Sequence, residues 1–400
     1  MSGALGRPGQ ARTEAGGEGT PVTIRSPLPA WRRAIGALLG LAWLGAAGSA
    51  LADDPATARD LPSAGLYTVR NVELLGLIRR DGTTVLPTEF ESIAWGDGLI
   101  AARKNGRTGY FDSNGKLVIG PDKGLSGVFS EGLIAGSTGA GRGYLDKSLK
   151  VVIAGPFSDA QPFSEGMAAV GTQDAWGAQK IGYIDKTGAV RIAPAFDQGF
   201  PFQDGVARVK QNQQWRLIDW QGRDITPQGV DFVGLTREGM TRVSSGRRYG
   251  FVDRSGKLAV PIAFEGADEF SEGLSRVWQN GKYGFIDMRG TLVVPARFDT
   301  AVAFSDGLAV VSVGGQRGYI DKTGAMRLQP QFERLYPFKE GRAQVVNAER
   351  KHGYIDKSGK LVIAAQYSTV RAFQGGLGFV VQGRQTAYID LQGDTVWSSP

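Results

Sequence analysis

Residues 273–304 read GLSRVWQNGKYGFIDMRGTLVVPARFDTAVAF, and this stretch predicts how most of the chain folds. Residues 274–278 are rich in residues that favour β-strands. Asn280-Gly281 is a residue pair typical of a two-residue hairpin turn, because both positions tolerate a positive φ. Residues 282–287 are therefore predicted to be the returning strand of a β-hairpin.

A second turn and a third strand follow the hairpin. Asp287 opens the turn, since an aspartate at the first turn position accepts hydrogen bonds from nearby backbone N–H groups, and Gly290 completes it. The third strand covers 291–294 and ends at Pro295, which cannot donate to a sheet ladder. Each unit is thus predicted to be a three-stranded antiparallel meander, followed by an irregular return to the next unit.

The same pattern recurs along the chain with a fixed period. The motif at 284–287 ends in an aspartate, and its copies are spaced 34 residues apart, with single steps of 35 and 39, at Asp112, Asp146, Asp185, Asp219, Asp253, Asp287, Asp321, Asp356 and Asp390. A landmark glycine follows 20 residues after a motif aspartate, with two earlier copies, at Gly65, Gly98, Gly132, Gly166, Gly205, Gly239, Gly273, Gly307, Gly341 and Gly376. Repetition of this kind predicts about ten β-repeats of roughly 34 residues.

Aromatic residues keep the same register. One row stands 17 residues after the motif aspartates, at Phe129, Phe163, Phe202, Phe270, Phe304, Phe338 and Phe373. A second row stands 11 residues after them, at Phe157, Phe196, Phe264, Phe298, Phe332 and Tyr367. A single small sheet cannot bury such rows, so neighbouring units must stack, and both rows are predicted to form the core.

The sequence therefore predicts an all-β fold, with a tandem array of about ten units stacked as an open superhelix. The alternative is a closed, propeller-like ring. A unit of about 34 residues is short for a four-stranded blade, and ten blades would be many, which favours the open array.

These landmarks together resemble the bacterial WG-repeat family over about residues 65–397. The resemblance rests on segments such as 272–287, with the turn glycine Gly290 and the Val294-Pro295 strand end. It implies a β-rich interaction or binding module, often outside the cytoplasm, with no established catalytic residues. The tryptophan that precedes the motif glycine in the family is kept only at Trp215, and there the glycine is replaced by Arg216.

Composition excludes several kinds of chemistry. The chain has no cysteine, which excludes disulfides, thiolate metal sites, cysteine nucleophiles and a lipoprotein anchor. Its one histidine, His352, excludes histidine-cluster metal sites. No G-x-S-x-G, H-E-x-x-H or Walker loop is present. We therefore predict that the protein is not an enzyme and needs no cofactor or metal.

The first 52 residues have the character of a secretory signal. Arg32-Arg33 precede an apolar run over 34–47, and Ala50-Leu51-Ala52 gives a small-x-small cleavage pattern. Cleavage after Ala52 would leave 41 basic and 37 acidic side chains, a net charge of +4, which is not typical of nucleic-acid binding. The predicted organisation is an extension and signal over 1–52, a linker over 53–64, the repeats over 65–397 and a tail over 398–400.

Two features are candidate binding sites. Arg208, Arg242 and Arg276 occupy the same place in three consecutive units, on the strand face opposite to small or apolar neighbours. An aligned arginine row would hold an anionic polymer or peptide, unless nearby acidic residues pair with it. Trp176 lies in the one insertion, near 173–177, and loops on a rigid scaffold often carry specificity.

Other repeated residues have a structural interpretation. The motif aspartates are predicted to cap turns rather than to bind calcium, which needs several converging oxygen ligands. His352 is predicted to be a packed repeat residue. The aromatic row two residues before the aspartates is predicted to pack between units, with a stacking groove as the alternative; its members are Tyr110, Tyr144, Tyr183, Phe251, Phe285, Tyr319, Tyr354 and Tyr388.

The functional prediction is an exported, non-enzymatic binding or scaffold protein, periplasmic or secreted and monomeric. Its partner would be a protein, a peptide or a cell-envelope polymer, with no nucleic acid and no membrane span after signal removal. One alternative is a carbohydrate-binding, lectin-like protein, and another is an enzyme with a site on the array. An outer-membrane barrel is rejected, because the predicted strands are short and carry Arg and Lys.

Overall fold

The computed structural model describes residues 61, 64–71, 73–173, 177–329 and 332–399. All of them belong to one compact unit, Gly48–Pro400. The predicted signal peptide and its cleavage site lie outside the described residues. Within these ranges the fold is all-β, apart from short 3-10 turns such as Pro121–Lys123. No helix in the described residues has the length and apolar character needed to cross a bilayer.

The described strands form ten small antiparallel sheets, which we call blades 1 to 10 in chain order. The strands of blades 1 to 5 are β1 Leu66–Asn71, β2 Leu74–Arg79 and β3 Thr84–Phe90; β4 Ser92–Gly96, β5 Leu99–Lys104, β6 Arg107–Phe111 and β7 Leu117–Ile119; β8 Leu133–Ser137, β9 Arg142–Asp146 and β10 Val151–Phe157; β11 Asp159–Ala160, β12 Met167–Gln173, β13 Gln179–Asp185 and β14 Val190–Phe196; and β15 Gln198–Gly199, β16 Ala207–Gln211 and β17 Gln214–Ile218. The strands of blades 6 to 10 are β18 Phe232–Arg237, β19 Met240–Ser245, β20 Arg248–Val252 and β21 Leu258–Phe264; β22 Gly266–Ala267, β23 Ser275–Gln279, β24 Lys282–Ile286 and β25 Leu292–Phe298; β26 Thr300–Ala301, β27 Ala309–Val313, β28 Gln316–Ile320 and β29 Met326–Leu328; β30 Arg334–Lys339, β31 Arg342–Val346, β32 His352–Ile355 and β33 Leu361–Tyr367; and β34 Thr369–Val370, β35 Leu377–Gln382, β36 Gln385–Asp390 and β37 Thr395–Ser398.

The prediction of three strands per unit is wrong for most blades. Seven of the ten described sheets have four strands, because the return segment pairs with the strand that follows it. In blade 7, β22 pairs with β23 through Ala267 and Val277, and the backbone N–H of Asp268 donates to the Arg276 carbonyl at 2.9 Å. The return satisfies its backbone groups in this way, although it is too short to show a strand pattern in the sequence.

The turn opened by Asp287 has the predicted geometry. Its Oδ1 accepts from the backbone N–H groups of Arg289 at 2.9 Å and Thr291 at 2.8 Å. Gly290 has a φ of 80°, and a Cβ there would lie 3.2 Å from Cγ1 of Val260 in blade 6. The glycine is therefore needed both for the left-handed backbone and for close approach to the preceding blade.

The core lies between blades, as the stacking argument predicts. Phe285, Val294 and Phe298 of blade 7 pack against Phe304 and Val311 of blade 8. The rings of Phe285 and Phe304 meet edge to face with centroids 4.7 Å apart. The prediction that both aromatic rows are core is confirmed, with Phe332 half-buried and the other members buried.

The array closes on itself. The Tyr67 hydroxyl of blade 1 donates to the Gly375 carbonyl of blade 10, and Tyr388 of blade 10 donates to the Thr68 carbonyl. Tyr67 and Leu377 share one buried cluster. The open superhelix is therefore wrong, and the alternative, a propeller-like ring, is confirmed. An open array would leave the apolar faces of its two end blades in water, and closure removes that exposure.

Candidate functional site

A ladder of carboxylates joins consecutive blades at the turns marked by the landmark glycines. Glu238 is an example, since its carboxylate accepts from the backbone N–H groups of Glu272 at 2.8 Å and Gly273 at 2.9 Å in the next blade. The equivalent acids in the described residues are Asp97, Glu131, Glu165, Asp204, Glu238, Glu272, Asp306 and Glu340. All eight adopt a φ of 50–56°. Their charges are engaged in holding the ring together.

The motif aspartates cap the turns that they open, as the sequence predicts. Asp185 accepts from the hydroxyl of Thr187 at 2.6 Å and from Nε of Arg191 at 2.7 Å. These two partners, the Thr187 hydroxyl first, lower the pKa of Asp185 to about 2. Among the described residues, no group of three or more His, Cys, Asp or Glu side chains is placed to hold a metal ion.

The predicted arginine row lies between blades. Arg242 donates from Nη1 to the Ala267 carbonyl of the next blade at 2.7 Å, and Arg276 makes the equivalent bond to Ala301. Arg208 donates to the equivalent carbonyl of Val233 at 3.4 Å. The three arginines thus contact the edge of the next blade in one repeated geometry. Their role in partner binding stays a prediction.

Aromatic rings and acids surround this row. The Arg208 guanidinium lies 4.6 Å from the ring centre of Trp215, the one tryptophan kept in the family position, and burial lowers the pKa of Arg208. Arg276 pairs with Asp268 at 2.6 Å, and Arg242 lies 3.3 Å from Glu269. The alternative in which acids pair with the arginines is therefore seen for Arg242 and Arg276.

Three other sequence predictions have distinct outcomes. Trp176 lies outside the described residues. His352 is half-buried in β32, where burial and then the charge of Arg334 lower its pKa. The prediction that the aromatic row packs between units is confirmed, since Tyr144 is fully buried and its hydroxyl donates to the Gln161 carbonyl of the next blade at 2.7 Å.

The boundary between blades 10 and 1, which we call the seam, holds a cavity that the sequence did not predict. Its volume is about 280 Å³. Its lining includes the buried side chains of Leu66, Leu75 and Ile93, the partly exposed ring of Tyr388, and the exposed residues Arg70 and Arg371. The cavity therefore combines apolar side chains with two guanidinium groups.

The seam cavity has an excess of positive charge. Burial raises the pKa of Tyr388, while the charges of Arg371 and then Arg70 oppose this rise, so both arginines act on one phenol. The Arg371 guanidinium lies over the Phe379 ring at 5.0 Å. In the part of the chain that the structure describes, neither Arg70 nor Arg371 is paired with a carboxylate.

The seam departs from the repeat in ways that the sequence hints at. In blade 1, Arg79 stands where other units have the motif aspartate, and it donates to Ser113 and Asn114 of blade 2. In blade 10, Gly375 stands where other units have the ladder acid. The carboxylate ladder therefore ends at Glu340, which accepts from the backbone of Gly375 and Gly376. These irregular units were the available signal, but only closure of the ring brings them together.

Several solved structures show a distant likeness to this chain. KlHsv2 with loop 6CD replaced by a Gly-Ser linker is 11% identical, with a TM-score of 0.29 and coverage of 58% of this chain and 93% of that one. Puromycin hydrolase is 14% identical, with a TM-score of 0.29 and coverage of 59% and 52%. YCF48 bound to D1 peptide is 12% identical, with a TM-score of 0.27 and coverage of 56% and 88%. The extracellular domain of BT3049 from B. thetaiotaomicron is 10% identical, with a TM-score of 0.25 and coverage of 81% and 54%.

The chain thus spans about half the length of puromycin hydrolase and of the BT3049 domain. At TM-scores this low the backbones do not superpose as one fold, so these likenesses carry nothing about function. Among curated proteins, none matches this sequence.

The family comparison is decisive. The family model described as WG containing repeat matches seven times, over residues 76–107, 143–174, 181–215, 249–283, 283–316, 318–349 and 353–384. These stretches cover more than half of the sequence and fall on the blades of the ring. The resemblance seen in the sequence is confirmed, and the chain belongs to the WG containing repeat family.

Proposed function

We propose that this protein is an exported, non-enzymatic binding module that holds a carboxylate-bearing, apolar segment of a peptide or protein partner in the seam cavity. The observation that supports this proposal is that Arg70 and Arg371 line one cavity together with the partly exposed ring of Phe379, and that no carboxylate is paired with either arginine in the described residues. The cavity offers both an apolar site and a binding site for negative charge.

The chemistry of the cavity favours a carboxylate. A guanidinium group presents a planar fork of N–H donors that matches the two oxygens of a carboxylate. Hydrogen bonds to charged groups contribute about 1.5–3 kcal/mol, more than bonds between neutral partners. An apolar side chain next to that carboxylate would cover Phe379 and Ala372, the apolar lining residues that keep exposed surface. A peptide that ends in a large apolar residue with a free carboxylate has both features.

A binding role fits the state of the titratable groups better than a catalytic one. The aspartates of the turns and the acids of the ladder are engaged by backbone N–H groups, and the buried tyrosines donate to carbonyls of the next blade. A general acid or base must have its proton accessible to a substrate. A different feature favours the lectin-like alternative, the exposed Trp220 at the boundary of blades 4 and 5.

Export and a monomeric state belong to the same proposal. The support for export is the basic, apolar and small-residue order of residues 32–52. A ring that pairs its last blade with its first leaves no end blade to recruit a second copy. Fractionation of the host cell, with chromatography of the exported chain, tests both parts.

Isothermal titration of the purified full-length exported chain tests the seam site. The probes are short peptides that end in leucine or phenylalanine, each made with a free carboxylate and as the amide. We expect the carboxylate forms to bind and the amides to bind about tenfold more weakly or worse. The variant R70A/R371A should lose the preference for the carboxylate.

Arg384 supplies a matched control, since it is an exposed arginine of blade 10 that does not line the cavity. R384A should bind as the unaltered chain does. Equal binding of acids and amides, or unchanged affinity in R70A/R371A, would remove the proposal.

A further inference from the structure

Blade 5 carries an exposed tryptophan that the packing of the repeat does not require. The side chain of Trp220 is 38% exposed, and its ring stacks on the buried ring of Phe202 at 4.8 Å with an interplanar angle of 13°. The stack fixes one face of the indole. Trp220 keeps 38% of its surface exposed and lines an open depression, so the stacked indole forms a rigid, flat apolar platform.

The position of Trp220 in the repeat makes it unusual. It follows the motif aspartate Asp219, at a position where three other units place a cation that pairs with a ladder acid of the preceding blade. Examples are Lys186 with Glu131 at 2.9 Å and Arg254 with Asp204 at 2.6 Å. At Trp220 the repeat exchanges this ion pair for a large exposed ring.

The ladder acid opposite Trp220 shows that the tryptophan does not replace the lost charge. Glu165 accepts from the backbone N–H groups of Asp204 at 2.6 Å and Gly205 at 2.9 Å, and in the described residues no cation pairs with it. The exchange therefore adds an exposed aromatic surface and, in the described residues, leaves Glu165 without a cationic partner. Exposed aromatic surface of this kind is typical of recognition sites.

Polar side chains border the platform. Trp220 lies in an open depression of about 540 Å³ that is also lined by Gly166, Asp185, Arg191 and Gln221. The Arg191 side chain is 59% exposed and pairs with Asp185 through Nε and Nη2, at 2.7 and 2.5 Å. The ion pair fixes the guanidinium, and its remaining N–H groups are directed away from Asp185. Gln221 adds an amide at the border, and its Oε1 accepts from Arg223 at 3.3 Å.

We propose that this depression binds one pyranose ring of a polysaccharide. A sugar ring has one face of C–H groups, which would lie on the free face of Trp220, and a border of hydroxyls, which would accept from Arg191 and donate to or accept from Gln221. Few well-placed polar groups around an apolar surface are the usual composition of a small-molecule site. The open shape fits an internal unit of a longer chain, which must enter and leave the depression at its two ends.

The ring contains its own comparison site. Asp321 and Arg327 of blade 8 form the equivalent ion pair, with Arg327 Nε 2.6 Å from Asp321 Oδ2. The residue of the next blade that corresponds to Trp220 is Lys357, which follows Asp356. Blade 8 thus has the ion pair without the aromatic platform. A substitution of Arg327 should therefore leave sugar binding intact.

This saccharide site goes beyond the proposed function. It lies at the boundary of blades 4 and 5, whereas the seam cavity lies between blades 10 and 1. It takes an uncharged or acidic sugar rather than a peptide. A ring that carries both sites would join a peptide-bearing partner to a polysaccharide, and each site can be removed without the other.

The test uses the exported full-length chain and three soluble probes: chitotetraose, cellotetraose and a galacturonate tetramer. Binding is followed by calorimetry and by the indole N–H resonance of Trp220, assigned by its loss in W220F. We expect one probe to shift that resonance, and W220A to bind it about tenfold more weakly or worse. W220F keeps a flat ring over Phe202 and should bind within about threefold of the unaltered chain.

Matched variants separate this site from folding and from the seam. The double variant R191Q/Q221A leaves the Trp220–Phe202 stack in place and should also weaken binding, whereas R327Q, at the comparison site, should not. R70A/R371A should bind the sugar normally. The proposal is overturned if none of the probes moves the Trp220 resonance at millimolar concentration, or if both W220A and R191Q/Q221A bind as tightly as the unaltered chain.

Discussion

The Glu272 carboxylate of blade 7 accepts the backbone N–H of Gly307 in blade 8, with Oε2 and N 2.9 Å apart. The same bond links every consecutive pair of blades from Asp97 to Glu340 in the described residues. It explains why the landmark glycine is usually preceded by an acid, even though that acid must adopt a left-handed backbone. The strained residue is retained because its charge fixes the next turn.

The hydrogen bond from Gly307 to Glu272 predicts that E272A destabilises the fold more than E272G does. E272A removes a charge-assisted hydrogen bond and should lower the free energy of unfolding by about 1–3 kcal/mol. E272G removes the same bond but relieves the positive φ of 55°, so it should recover about 1 kcal/mol of that loss. Urea unfolding measures both. The exposed Glu349, changed to alanine, is the control, and equal stability of E272A and E349A would contradict the ladder.

The arginine row predicts that lysine does not replace arginine between blades. Arg242 uses two nitrogens for two partners, the Ala267 carbonyl and Glu269, and its Cζ lies 5.7 Å from the centre of the Tyr249 ring. A lysine ammonium would reach one partner only, so R242K should lower the free energy of unfolding by about 1 kcal/mol.

Arg248 is the natural control for that prediction. It also donates to a carbonyl, that of Ala263 at 3.0 Å, but its side chain is 50% exposed. R248K should therefore change the free energy of unfolding by less than about 0.5 kcal/mol, because water replaces the lost contact. If R242K and R248K unfold at the same urea concentration, the row is not a structural contact between blades.

Acid conditions should act through the turn aspartates. The Thr323 hydroxyl, followed by Arg327, lowers the pKa of Asp321 from 3.8 to about 2. A lowered folded-state pKa stabilises the fold above the unfolded pKa, and this stabilisation disappears as the pH falls through the folded pKa. The difference in stability between the unaltered chain and D321N should therefore shrink as the pH falls from about 4 to about 2.

Thermal unfolding across this pH range measures the effect. The exposed substitution E349Q provides the baseline, since it removes an acid that caps no turn. A difference between the unaltered chain and D321N that stays constant down to pH 2 would show that the Asp321 turn is not linked to folding through its charge.

Features that recur in most units can be predicted from the sequence, whereas features that occur once cannot. The Asp287 turn and the aromatic rows of Phe298 and Phe304 can be predicted from the sequence, because equivalent residues recur in most units at the same spacing. The edge strand Gly266–Ala267 cannot be predicted from the sequence, because two residues are too few to show the alternation of apolar and polar residues that marks a strand. The resemblance to the repeat family likewise follows from landmarks that recur together.

The closure of the ring and the two proposed sites cannot be predicted from the 34-residue repeat pattern, because they depend on how different units lie relative to one another. Whether stacked sheets form a superhelix or a ring depends on the small rotation between neighbours, which the residue pattern does not specify. Arg70 and Arg371 are far apart in the chain, and they line one cavity only because the ring closes. Trp220 is visible in the sequence, but its exposed face and its stack on Phe202 are not.

The seam predicts a substitution that should strain the ring at one boundary. Gly375 has a φ of 62°, and a Cβ there would lie 2.5 Å from the Tyr67 hydroxyl oxygen and 2.8 Å from its Cε1. Tyr67 is 5% exposed and packed against Val69 and Leu377, so its ring has no room to move aside. G375A should therefore both strain the backbone and push blade 1 from blade 10.

Gly383 separates these two effects, because it has the same φ of 62° but no atom within 4 Å of an added Cβ. G383A should cost about 1 kcal/mol through the backbone alone, and G375A should cost at least about 1–3 kcal/mol more through overpacking. Hydrogen exchange should show faster opening of Tyr67 and Leu377 amides in G375A than in G383A. Equal stability and equal exchange in the two variants would mean that blades 1 and 10 are not in contact, and that the ring is open after all.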